Sequence, residues 1–276
     1  MIVDFHTHIF PPEVAARREA PADPTFAAIY GSPRAKLVTA ADLLQGMDSA
    51  GVDISVVQGF AWSSAAACRA HNDYLLASAQ QAPDRVKAFC TLPLGDIAEA
   101  EGEARRVRDL GAAGFGELRP HDQRCDLAGD DGARLARLAQ ELDLPLLFHV
   151  SEPVGHEYPG KQGLPLADFY QFARRHPEVR IIGAHWGGGL PLYGVMPEIV
   201  KELPNVWFDT AASRLLYDDR IFGLAASLIG ADRILFASDY PLLDQGSELG
   251  RIRSLGLDSD AEAAILGGTA RDLLAL

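Results

Sequence analysis

The chain is poor in cysteine: Cys68, Cys90 and Cys125 are its only three, and none sits in a CxxC spacing. An odd number cannot all pair, which argues against a disulfide framework and suits free thiols in a reducing compartment. Cys90, inside the apolar run VKAFCTL, reads as a small core residue. No apolar stretch is long enough to span a membrane. Nor does a basic, apolar leader open the chain, since Met1-Ile2-Val3 runs straight into a strand-like segment; the cytoplasm is the expected compartment. Positive charge is scarce as well. With 25 Lys and Arg against 38 Asp and Glu the net charge is −13, and a surface that repels polyanions argues against nucleic acid or an anionic membrane as partner. A small-molecule substrate is the remaining expectation, with a homo-oligomer left open. Linkers, charge blocks, low-complexity tracts and short repeats beyond a βα unit are also missing, so nothing divides the chain.

What is present is an alternation. Short β-rich runs at 2–6, 53–59, 86–92, 114–118, 145–150, 179–185, 206–210 and 233–238 alternate with helical stretches. Several are nearly continuous apolar runs bounded by Pro, Gly or Asp, as befits parallel strands covered on both faces. The segments 97–110, 131–142, 166–175, 195–202 and 218–229 carry charges on one face and apolar residues on the other. Thr39 with Asp42 reads as the start of a helix that Gly51 closes. Ser259 with Glu262 reads as the start of a C-terminal helix. Such alternation gives a closed barrel or an open doubly wound sheet, and 276 residues is the size of one barrel. The expected fold class is therefore α/β, a single-domain (β/α)8 TIM barrel over residues 1–276. Residues 9–38, rich in Pro, Ala and Arg, read as a long irregular loop that would hang over the barrel mouth as a lid.

The chemistry-bearing residues fall at strand ends. His6 and His8 end the first strand, and residues two apart on a strand point the same way, so both imidazoles can converge on one ion. Glu117 lies near the end of strand 4, His149 ends strand 5, His185 ends strand 6, and Asp239 follows strand 8. The C-terminal ends of parallel strands share one end of a barrel, where such enzymes build their sites. Leaving that many polar groups unpartnered at apolar strand ends would cost several kcal/mol, and an ion removes the cost. Glu117 could instead simply pair with Arg119. Arg119 and His121 follow strand 4 and Arg214 follows strand 7, cations that would favour an anionic substrate. Trp62, Trp186 and Tyr240 follow strands 2, 6 and 8 and could line an apolar pocket. The expected substrate-binding set is Arg119, His121, Trp186 and Tyr240. His156 and Lys161 lie in a loop within reach of the mouth, His71 and His176 read as structural, and Gly187–Gly189 as a tight turn rather than a phosphate cradle.

DFHTH at 4–8, FHV at 148–150 with its preceding apolar run, IIGAHWGGG at 181–189 and FASDYP at 236–241 together resemble the amidohydrolase superfamily. The resemblance is to the amidohydrolase-2 branch, which includes carboxy-muconate-semialdehyde and resorcylate decarboxylases. It implies that His6, His8 and His149 are metal ligands, that Asp239 is ligand and proton shuttle, and that His185 polarises substrate or binds a second ion. The preferred expectation is a hydrolase acting on a small ester, lactone or amide: the metal lowers the pKa of its water to about 7, Asp239 shuttles the proton, and His185 stabilises the oxyanion. A lyase that decarboxylates or hydrates a carboxylated ring or enol is the alternative, and a non-catalytic metal-binding barrel the third. A single zinc ion is the preferred cofactor, with manganese next. Two ions would place Glu117 between them, with His149 and His185 serving the second.

Overall fold

Eight of the apolar runs form strands because each can be covered on both faces. In the computed structural model, which describes residues 1–17 and 23–276, they are β1 (Val3–Thr7), β2 (Ile54–Gln58), β3 (Val86–Cys90), β4 (Gly114–Leu118), β5 (Leu146–Phe148), β6 (Ile181–Gly183), β7 (Val206–Asp209) and β8 (Ile234–Leu235). They lie side by side in chain order, every pairing parallel. The ends of the sheet then meet. Phe5 donates its amide to Phe236 O at 2.8 Å, Asp239 to His6 O at 3.0 Å and His8 to Tyr240 O at 2.7 Å. Those contacts decide between the two expected architectures: the sheet is a (β/α)8 barrel, single-domain, not an open one.

The period-2 geometry of a strand splits each run between two cores. Val3, Phe5, Val56, Phe89, Leu147, Ile182 and Leu235 fill the barrel's interior, with Phe5 edge-on to Phe89 at 5.5 Å. Residues of opposite parity, such as Val57, Cys90, Phe115 and Phe148, pack outward against the helices. Two pairings shift register, β1 with β2 between Asp4 and Thr7 and β4 with β5 between Phe115 and Leu118. Both shifts flank a candidate ligand, His6 and Glu117, and such irregularities re-aim side chains beside functional sites. Thr39 caps the helix Ala40–Ala50 in a capping box, and Gly51 ends it at φ 72°, as expected. The C-terminal helix Ser259–Ala263 starts one residue earlier than its sequence signal suggests: Asp258, not Ser259, accepts the free amides of Asp260 and Ala261, a carboxylate being the stronger acceptor there.

Residues 9–38 differ from the expected irregular loop. Pro12–Arg17 and Pro24–Tyr30 are helical, while 18–22 fall outside the described residues. Asp23 caps the second helix through Phe26 N and also accepts Ser63 N at 2.7 Å. Phe10 and Phe26 then pack with Phe60 and Trp62 in a satellite core. An N-cap Asp before Pro, with Phe26 and Tyr30 four apart on one helical face, is local helix chemistry hidden by the Pro-rich composition. Among the described residues no helix is long and apolar enough to cross a membrane.

Candidate metal centre at the barrel mouth

The strand ends deliver their polar residues to one place. Nε2 of His6 lies 3.0 Å from Nε2 of His8, and His8 Nε2 lies 3.4 Å from Asp239 Oδ1. Glu117 Oε2 is 3.8 Å from His6 Nε2 and 3.9 Å from His8 Nε2. Its other oxygen, Oε1, is 2.7 Å from His149 Nδ1 and 3.3 Å from His185 Nε2. All six residues are buried. Ligand atoms of His6, His8 and Asp239 lie within 4.8 Å of one another, as do those of His6, Glu117 and His185. His149 belongs to neither close set; it meets the cluster through Glu117. His185 and Asp239 both sit in the left-handed region, at φ 55° and 63°, which non-glycine residues rarely adopt.

The field of the cluster is that of carboxylates out of water. Burial opposes charge on His6, but Asp209 and then Glu117 outweigh it and raise the imidazole to about 10. His185 is likewise disfavoured by burial yet raised to about 9 by Glu117. Burial pushes Asp239 up, but the hydrogen bond from His8 and the charge of His6 hold it down to about 2. His149 is lowered to about 4, by burial and then Arg119. A site that draws protons onto its own imidazoles has the donor set for a divalent cation, which replaces those protons on binding. Imidazole nitrogens with carboxylate oxygens suit zinc or manganese, and His8 Nδ1 is a buried nitrogen with no hydrogen-bond partner.

Two contributors escaped the sequence reading. Asp209, at the end of β7, accepts His6 Nδ1–H at 2.8 Å and the amides of His185 at 2.9 Å and Ala211 at 3.0 Å. It fixes the His6 tautomer so that Nε2 faces the cluster. Its signal was available, since the acid ends a strand in VWFDT as the other site residues end theirs. Tyr30 is the second: it lines the cavity above the cluster, and burial, then Asp239 and Glu117, keep its hydroxyl protonated well above its usual range. It comes from a helix the composition concealed.

The cavity has a volume of about 450 Å³, the size of a small-ligand pocket. His8, Glu117, His149, His185 and Asp239 lie at its base, Arg34, Lys36 and Arg119 add positive charge to its lining, and Tyr30, Phe60, Leu215 and Leu216 line its apolar side. Of the four residues expected to bind substrate, only Arg119 lines it. The Arg119 guanidinium is already used, donating to Gly160 O at 3.0 Å and Gln162 O at 2.6 Å and pairing with Asp122. The other three lie elsewhere. Trp186 enters a left-handed turn at φ 59° that swings its ring outward onto Phe222 at 5.1 Å. Tyr240 turns to the helix Ala40–Ala50, its hydroxyl 3.4 Å from Asp42 O. His121 is half-exposed, 3.7 Å from Asp168. Arg214 pairs with Glu248 at 2.9 Å, and Trp62 is in the satellite core. His156 reaches the cavity, while Lys161 is held by Gly155 O and His156 O. His71 is structural, accepting from Phe60 N and Trp62 Nε1. Gly187–Gly189 form the tight turn, at φ 53° to 90°, and a Cβ on Gly188 would meet Ser151 O at 2.7 Å.

Several known proteins with similar sequence or fold are decarboxylases, and others are named as amidohydrolases. Gamma-resorcylate decarboxylase of Rhizobium sp. is 29% identical over 225 residues, 65% of this chain and 68% of that protein. The structure of 2,6-dihydroxybenzoate decarboxylase from Rhizobium superposes with a TM-score of 0.77 at 20% identity, covering 99% of this chain and 98% of that one. A 5-carboxyvanillate decarboxylase from Novosphingobium aromaticivorans, complexed with manganese and 4-hydroxy-3-methoxy-5-nitrobenzoic acid, superposes at 0.79 with 16% identity, covering 100% and 96%. These relatives correct the expectation of a hydrolase. Strand-end ligands and a proton-carrying Asp serve hydrolysis and decarboxylation alike, so the motifs locate a site without naming its reaction. The amidohydrolase family model matches residues 3–276, and the chain belongs to that family, an enzyme of the amidohydrolase superfamily in its amidohydrolase-2 branch.

Proposed function

We propose that this protein is a metal-dependent decarboxylase of a small carboxylated aromatic ring. The observation that carries the reading is the cavity itself: ring-sized, with Tyr30, Phe60, Leu215 and Leu216 on its apolar side, Arg34, Lys36 and Arg119 among its lining, and Asp239 and the His6–His8 pair at its base. The decarboxylase relatives support it. His6, His8 and Asp239 would hold a divalent ion, manganese being the first to test and zinc the second. Bound there, the ion supplies a Lewis acid for the substrate's carboxylate and an adjacent ring oxygen.

The protein's own part is positioning and proton transfer. Tyr30, Phe60 and Leu216 hold the ring and exclude water. Asp239, ionised at rest, accepts the proton of a hydroxyl beside the carboxylate and returns it to the ring carbon that bears the carboxylate. The carbon–carbon bond then breaks, its electron pair restores aromaticity, and carbon dioxide leaves. The product departs as a phenolate, which solvent reprotonates. The test is manganese-loaded protein with 2,6-dihydroxybenzoate, 5-carboxyvanillate and related ortho-hydroxy acids in D2O. One deuterium is expected at the carbon that lost its carboxylate. Absence of carbon dioxide release across that panel from folded, metal-loaded protein rejects the reading.

A further inference from the structure

Asp4 of DFHTH and Ser238 of FASDYP are wholly buried and do not line the cavity. Val3 and Phe5 fill the barrel interior, so Asp4 between them points outward, towards the helix Gln245–Arg253. Its Oδ2 accepts Ser238 Oγ–H at 2.5 Å and Gln245 Nε2–H at 2.8 Å, and its Oδ1 accepts the amides of Ser238 at 2.9 Å and His6 at 3.4 Å. Each of these partners is an uncharged donor. A carboxylate taken out of water without a cation is costly, and only a full set of donors makes it tolerable. The seam between the first and last strands does not require it. Phe5 N–Phe236 O and His8 N–Tyr240 O already join them backbone to backbone.

What the carboxylate adds is a hold on the turn that carries Asp239. Ser238 N goes to Asp4 Oδ1, Asp239 N to His6 O at 3.0 Å, and Tyr240 N to Ser238 Oγ at 3.0 Å. The serine hydroxyl is used in both directions, donating to Asp4 and accepting from Tyr240. Between the two held amides Asp239 keeps φ 63°, a torsion that a non-glycine residue holds only when its surroundings over-determine it. That torsion brings the Asp239 carboxylate to 3.4 Å from His8 Nε2 and into the cavity. We propose that Asp4 and Ser238 are a positioning pair, which fixes the turn at 238–240 and so aims Asp239 at the metal and at the substrate carbon. Gln245 braces the pair from its helix, bonding Asp4 and, at 3.1 Å, Ser55, but none of the three amides. The role of Asp239 as ligand and proton carrier rests on the decarboxylase reading; the way it is held does not.

The test reads manganese affinity by chelator competition on folded protein, alongside kcat and KM. Ser238→Ala removes the hydroxyl that holds Tyr240 N. It should weaken manganese binding about 10-fold and, at saturating manganese, lower kcat about as far with KM little changed. Asp4→Asn keeps the size of the acceptor but not its charge. It should move affinity and kcat the same way, and it serves where Ser238→Ala does not fold. Gln245→Met removes the brace alone, so the thermal midpoint should drop while affinity and kcat stay parental. Parental affinity and kcat in folded Ser238→Ala and Asp4→Asn overturn the proposal. So does a loss of affinity in Gln245→Met equal to theirs, which would mark a plain effect of stability. Affinity is measured without substrate, so a parent that decarboxylates no aromatic acid rejects the reaction, while the metal readout still decides the positioning role.

Discussion

His6 and Asp209 stand 203 residues apart and meet at 2.8 Å, the imidazole Nδ1 against the carboxylate Oδ2, both without solvent exposure. The pair ties the first strand of the barrel to the seventh and sets which nitrogen of His6 faces the metal centre. Because Oδ1 of the same carboxylate receives the amide of His185, one acid orients two of the site's histidines. Asp209→Asn keeps the shape but can present an amide N–H to His6, favouring the wrong tautomer. Manganese affinity, measured by chelator competition, should fall about 10- to 100-fold with the thermal midpoint of the metal-free protein little changed. Unaltered affinity would contradict an orienting role.

Asp239→Asn tests the proton carrier. The amide can still occupy the space but cannot take a proton from substrate and deliver it to carbon. At saturating manganese, turnover should drop by at least about 100-fold while circular dichroism stays that of the parent. Near-parental turnover in folded, metal-loaded protein would remove Asp239 from the mechanism.

Tyr30→Phe removes only a hydroxyl at the cavity wall. The phenol stays protonated, so it can donate to an anionic substrate without adding charge. Losing one hydrogen bond of about 1 kcal/mol should raise KM for the aromatic acid roughly fivefold, with kcat and thermal stability little altered. A KM unchanged on the true substrate would make Tyr30 a packing residue alone. The same measurement bears on the lid expected of residues 9–38. Phe10 and Phe26 anchor the segment in the satellite core, with Tyr30 and Leu37 packed against it, so shortening confined to 31–36 is the variant expected to change kcat and KM together while the protein still folds.

His71 sets a pH dependence away from the site's chemistry. Its Nδ1 accepts from Phe60 N and Trp62 Nε1, and its Nε2–H donates to Ile9 O at 2.9 Å. Burial lowers its pKa from 6.5 to about 4. Between those values the unfolded chain binds a proton that the folded one excludes, so stability falls as pH drops from about 6.5 to about 4. The loss amounts to about 3 kcal/mol. Urea unfolding of metal-free parent and His71→Gln across that range should show the difference between them narrowing as pH falls. A constant difference would mean that His71 titrates alike in the folded and unfolded chain.

The barrel could be read from the chain because a parallel strand is recognised by its own residues. Beyond Lys87 and Arg180 near their starts, VKAFC, PLLF and VRIIG are apolar on both faces, and that property is local. So was the placement of the candidate ligands, since a His or acid at the C-terminal end of such a run lies at the mouth. The Asp23–Pro24 helix start was equally local but masked by composition, and Asp209 was a visible strand-end acid given no part.

What the chain alone did not determine was direction and distance. Trp186 and Tyr240 follow strands as Phe60 does, yet a left-handed turn and a helix contact take them from the cavity that Phe60 lines. Spacing along the sequence cannot set those torsions, because they answer to neighbours far away in the chain. The same holds for Glu117, whose two oxygens address histidines from the ends of three different strands. Residue order placed all of these groups at one mouth through the periodicity of βα units. Only closure of the sheet, with Phe5 bonded to Phe236 and His8 to Tyr240, brought the first and last of them within reach of a shared ion, since coordination acts over about 2 Å.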